Sequence, residues 1–256
     1  MINDYRKILI EYFAEFNIDL DINDINIVED VDVEKAFFNI RPDQNGKDSF
    51  EWHKYNGFIV PPLNTEGLFT IIFNINRMIL SKKRGDFDWV GTVVHEATHI
   101  DDYIKYRKIL SVKSYDELFD YRKYGMFNCW TEFHARLMGH YYVYKYRKSN
   151  KCETAEEKNI KSEMEKLIEW FNRQQAETDD GYMWLYLLMQ FMGMISALRL
   201  HYPSIITETL IKELFAEHCG LDELYRFLNI HNAIEKVSLK FDTMYSICKK
   251  IYPHMP

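Results

Sequence analysis

Asp88-Trp89-Val90-Gly91-Thr92-Val93-Val94-His95-Glu96-Ala97-Thr98-His99 is the stretch from which the rest of the chain is read. Asp86 or Asp88 is placed to cap a helix that runs to about Ile109. Val90, Val94, Ala97 and Ile104 recur at helical spacing and supply its inner face. On such a helix residues four apart lie on one face, about 40° from alignment. The imidazoles of His95 and His99 can therefore bind one cation. Glu96, next to the first histidine, can reach a water on that cation without being a ligand. This is the H-E-x-x-H arrangement, and it follows a strongly apolar strand, Phe69 to Phe73.

Around this centre the chain changes character near residue 86. Residues 1–17 form an amphipathic helix with Ile2, Tyr5, Leu9, Tyr12, Phe13 and Phe16 on one side. Strands are expected at Ile25 to Val28, Lys35 to Ile40, Gly57 to Val60 and Leu68 to Ile75. Asp43-Gln44-Asn45-Gly46 and Pro61-Pro62-Leu63-Asn64 are turn signals between them. Beyond 86 the signals are helical, and residues 63 to 202 contain no proline. Helices are expected near 88–109, 115–122, 127–148, 154–177, 181–200, 204–218, 222–229 and 232–251. Ser114 with Glu117, Thr154 with Glu157 and Asn232 with Glu235 have capping-box spacing. The fold class is α+β, a small N-terminal sheet followed by helices. The division is residues 1–150 and 151–256, packed as one unit because no linker separates them.

The 256 residues include 18 Tyr, 17 Phe and 5 Trp, ample for a core, and carry a net charge of -7. That charge argues against a nucleic-acid partner, which would call for a basic stripe. The runs at Lys82 to Arg84 and Lys145 to Lys148 are solvated faces. Cys129, Cys152, Cys219 and Cys248 are far apart and the N-terminus shows no secretory pattern, so reduced thiols and a cytoplasmic location are expected. Gly181 to Leu198 carries no formal charge and sits at the lower limit for a membrane span. Tyr182, Gln190, Ser196 and two glycines within it favour a buried core helix. Its methionines are core filler, and the spacing of Gly193 and Ala197 lets a neighbouring helix approach.

Catalytic zinc usually takes three protein ligands and keeps one position for water. The metzincin pattern would place the third ligand at Lys105 and a glycine at Asp102, so that pattern is rejected. Glu132 is the best candidate, on a later antiparallel helix where Ala135 and Gly139 would permit close packing against the first. His134 is the rival, but points about 200° away round the helix. His53, His140, His218, His231 and His254 are read as surface or capping residues.

An H-E-x-x-H helix followed by a ligand glutamate on a later helix resembles the gluzincin metallopeptidases. The Glu132-x-x-Ala135 pattern and the strand before the helix are similar to the compact ImmA/IrrE-type peptidases. The resemblance covers roughly residues 68 to 140. It implies a zincin-like unit in which His95, His99 and Glu132 bind Zn2+ and Glu96 is the general base. The larger gluzincins often place an aspartate four residues after the ligand glutamate; this chain has Arg136 there, and Asp101 or Asp102 could stand in. The function expected is a zinc-dependent metallopeptidase acting on a peptide or protein, with 68–75 as an edge strand that pairs with extended substrate. Arg136, Tyr141 and His201 are candidate oxyanion donors. The alternative is a non-catalytic zinc-bound regulatory or interaction protein, its site closed by His134 or Asp102. A di-iron bundle would need a second Glu-x-x-His unit, and there is none.

Overall fold

The computed structural model describes residues 1–44, 55–63, 67–119, 124–150, 157–178, 180–216 and 220–252. The described residues are mostly helical with a small three-stranded sheet, an α+β architecture. It divides into two compact units, Met1–Asp120 and Tyr121–Pro256. His53, Cys152, Thr154, His218, Cys219 and His254 lie outside the described residues.

In the first unit α1 (Ile2–Phe16) buries Tyr5, Ile8, Leu9, Tyr12 and Phe13 on the expected face. β1 (Ile25–Asp30), β2 (Gly57–Val60) and β3 (Phe69–Asn74) form a sheet of order β1-β3-β2. β1 runs parallel to β3, from Ile25 beside Phe69 to Asp30 beside Asn74. β2 runs antiparallel to it, from Gly57 beside Phe73 to Val60 beside Thr70. The strand expected at the edge is therefore the central one. Its residues do not alternate apolar and polar, as expected of a strand covered on both faces, and all six, Thr70 and Asn74 included, are buried.

The segment read as a strand at Lys35 to Ile40 is instead part of a helix, α2 (Val33–Ile40). Asp32 caps it by accepting the Lys35 N–H at 3.0 Å. Val33 and Ala36 then fall one turn apart and pack on Val60 and Ile72, covering one face of the sheet. Tyr5 of α1 packs on Phe73 with ring centroids 4.6 Å apart; Phe73, next to Ile72 in β3, points to the opposite face. Buried Arg41 ends α2 and binds both Asp43 and Asp116, at 2.9 and 3.1 Å.

Unexpectedly, a helix follows β3 directly: α3 (Ile75–Arg84), capped by Asn74 and ended by Gly85 at φ 71°. The helix α4 (Asp88–Leu110) begins as expected, but its N-cap is Phe87 with no side-chain bond. Its first-turn N–H groups go to neighbouring side chains, Asp88 N–H to Asp86 at 3.0 Å and Trp89 N–H to Ser81 Oγ at 2.9 Å. Burial raises the Asp86 carboxyl, but bonds from Ser81, the Asp88 N–H and Arg84 outweigh it and hold it below its ordinary value. A short α5 (Asp116–Phe119) follows, with Ser114 Oγ accepting the Glu117 N–H at 3.2 Å.

The second unit comprises α6 (Tyr124–Ser149), α7 (Glu157–Ala176), α8 (Gly181–His201), α9 (Glu208–Phe215), α10 (Leu221–Ile230), α11 (Ile234–Val237) and α12 (Phe241–Ile251). α8 is its core, packed along α6 and against α7, where Phe171 stacks on Phe191 at 4.7 Å. By length and composition α8 could cross a membrane, yet 67% of its apolar window is buried within the protein. Two stretches depart most from expectation. α9 starts at Glu208 because Thr207 caps it by accepting the Leu210 N–H. The single helix expected over 232–251 is broken into α11, a 3-10 turn at Ser238–Lys240 and α12. Its proposed cap, Asn232, is not used, since the N-cap is Ala233 without a side-chain bond.

Candidate metal centre

α4 carries the first half of the site. Thr98 fixes its rotation in the unit: its Oγ1 donates to the Val94 carbonyl at 2.7 Å and meets the Tyr12 hydroxyl of α1 at 2.8 Å. With Val94, Ala97 and Ile100 buried, the helix holds His95 and His99 side by side. Their Nε2 atoms are 3.1 Å apart, the rings edge to face at 4.6 Å and 89°. Nitrogens bound to one tetrahedral zinc at about 2.0–2.1 Å would stand about 3.3 Å from each other. The observed pair is therefore already near the spacing that a shared cation requires.

Glu96 is 7% exposed. It lies against Gly57 of β2: a Cβ at that glycine would come 3.0 Å from Glu96 Cγ and 3.1 Å from Oε1. The absence of a side chain at 57 is what makes room for the carboxylate. Asp101 is engaged by Lys105 at 2.7 Å, one helical turn on. Asp102, three residues after His99, is 1% exposed.

Glu132, on α6 of the second unit, is a buried carboxylate at 2% exposure, not a surface one. Arg136 Nε donates to its Oε1 at 3.1 Å, and the Tyr186 hydroxyl of α8 donates to its Oε2 at 2.7 Å. Arg136 thus serves Glu132. His134 turns the other way and stacks on Trp130 at 5.2 Å. Tyr141 and His201 pair with each other, His201 Nε2 donating to the Tyr141 carbonyl at 2.9 Å. Tyr141 is nine residues beyond Glu132, about 13 Å along the helix, so neither belongs to its surroundings. His140, in mid-helix, is no cap; burial, with the charges of Arg136 and Arg147, pushes it down to about 3.

His95, His99 and Glu132 make a donor group that could hold a metal ion. Two residues of this picture went unnoticed in the sequence. Gly57 looked like an ordinary strand residue, and only its neighbour shows its use. Tyr186 lies 54 residues from Glu132 on a different helix, so no spacing links them. Compared with protein-family models, curated proteins and solved structures, the chain matches none.

Proposed function

We propose that this protein is a zinc-dependent metallopeptidase with a zincin-like site, acting on a peptide or protein substrate in the cytoplasm. The observation that carries the reading is the 3.1 Å approach of His95 Nε2 to His99 Nε2 on one helix, with the Glu96 carboxylate buried beside them. His95, His99 and Glu132 are the proposed ligands, and neutral imidazole with carboxylate is a donor set suited to zinc. Bound zinc acidifies water toward a pKa of about 7 and polarises a carbonyl oxygen. Glu96 takes the proton of the attacking water and delivers it to the departing amine nitrogen. Gly57 keeps the space that this carboxylate occupies.

The alternative, a zinc-bound regulatory protein without turnover, would need a closed site of four protein ligands. Among the described residues the donor group has three members, which supports the open, hydrolytic reading. His134, the candidate for closure, is stacked on Trp130 instead.

The deciding variant is Glu96→Gln. It should bind one zinc per chain, as the wild type should, and lose peptide hydrolysis. Undiminished hydrolysis by this variant rejects the mechanism; a wild type that takes up no zinc rejects the metal centre.

A further inference from the structure

Resting on the reading of Glu132 as a metal ligand, we infer that Tyr186 and Arg136 are positioning residues that hold this carboxylate ready for the cation. A carboxylate offers about four lone-pair sites on its two oxygens. Tyr186 occupies one on Oε2 and Arg136 one on Oε1. One donor on each oxygen, arriving from a different direction, stops rotation of the carboxylate plane. The donors come from different directions, Arg136 from one turn along α6 and Tyr186 from across the α6–α8 packing.

The placement of Tyr186 is set by backbone packing. Gly193 lies seven residues, two helical turns, beyond Tyr186 and so on the same face of α8. A Cβ at Gly193 would stand 2.5 Å from the Phe133 carbonyl oxygen and 2.8 Å from Arg136 Cβ. The bare glycine lets α8 press onto α6 beside the residues that carry and support Glu132. The phenol is thereby delivered to Oε2 by two rigid helices, with only its own two torsions left to fix. Partners of this kind around a ligand typically contribute 10–100-fold in metal affinity.

The test uses the full chain stripped of metal, with zinc affinity measured by competition against a chromophoric chelator. Wild type is compared with Tyr186→Phe, Glu132→Ala and the double variant. Tyr186→Phe should weaken zinc binding 10–100-fold. Glu132→Ala should weaken it further, and the double variant should match Glu132→Ala, because the phenol acts only through that carboxylate. A purely structural Tyr186 would lower the urea midpoint of the metal-free protein and leave zinc affinity alone. Unchanged affinity in Tyr186→Phe, with loss in Glu132→Ala, overturns the positioning role and leaves the ligand reading standing. Equal loss from Tyr186→Phe with and without Glu132 also overturns it. Unchanged affinity in both single variants removes Glu132 as a ligand, and the positioning role with it. Should Tyr186→Phe not fold, Arg136→Gln at the half-buried donor carries the same comparison, with at least tenfold weakening expected.

Discussion

Replacing Gly193 with alanine places two effects of opposite sign against each other at one atom. In a helix interior alanine is favoured over glycine by about 1 kcal/mol, so on an exposed face the change would stabilise. At this position the new methyl would lie 2.5 Å from the Phe133 carbonyl oxygen, 2.8 Å from Arg136 Cβ and 3.0 Å from the Leu137 nitrogen. Two of these three are backbone atoms of α6, which no rotamer change can move away. The helices must separate by about 0.9 Å to restore ordinary contact. Overpacking of this kind costs about 1–3 kcal/mol, and the backbone contacts place it at the upper end. Net destabilisation of about 2 kcal/mol remains after the propensity gain. Urea unfolding of the metal-free chain reads it as a lowered midpoint with an unchanged slope. Gly125→Ala is the control. Among the described residues its methyl would meet Tyr182 Cε2 alone, at an ordinary 3.8 Å, so its midpoint should hold or rise. A Gly193→Ala protein as stable as wild type would refute the close packing of α8 on α6.

Gly57→Ala should leave zinc stoichiometry intact and lower hydrolysis at least tenfold. Its methyl would arrive 3.0 Å from Glu96 Cγ, and small misplacement of a catalytic group can cost as much as 100-fold; full activity would remove Gly57 from the site. His140 gives a pH dependence of defined sign. Its folded pKa lies near 3 against an ordinary 6.5, so below pH 6.5 the unfolded chain takes up a proton that the folded one does not. Stability attributable to it should fall as pH drops from about 6.5 to 3, at up to about 1.4 kcal/mol per pH unit. Unfolding titrations of wild type and His140→Gln should show a shallower acid limb in the variant, and parallel limbs would refute the assignment.

Local periodicity was the readable part of this fold. The four-residue spacing of His95 and His99, the apolar pattern of α1 and the uncharged run of α8 each point to one structure, and each of those elements is present. Lys35 to Ile40 misleads because Phe37, Phe38 and Ile40 favour strands, while the Asp32 cap that turns them into a helix lies outside the apolar run. α3 was hidden by its polar surface; the Asn74 cap, the basic last turn of Lys82, Lys83 and Arg84 and the Gly85 stop were its marks. Glu132 was visible as a candidate with Arg136 one turn on, but its depth and its second donor, Tyr186, were not, because they depend on α8 packing against α6. The central place of β3 could have been inferred from its lack of alternation. Whether the ends of the sheet are β1 and β2 is a matter of pairing, which periodicity does not carry.

The sheet also sets the order in which the first unit can assemble. Val60 and Thr70 pair across ten residues of chain, whereas Ile25 must find Phe69 across 44. Closing the longer loop costs about 1 kcal/mol more in chain entropy, and long-range parallel pairing is intrinsically slow. The β2–β3 pair thus precedes the arrival of β1. His95 and His99 need only a helical turn to meet, while Glu96 needs Gly57 and a formed strand beside it. On that order of assembly the imidazole pair forms before the Glu96 carboxylate is seated against Gly57.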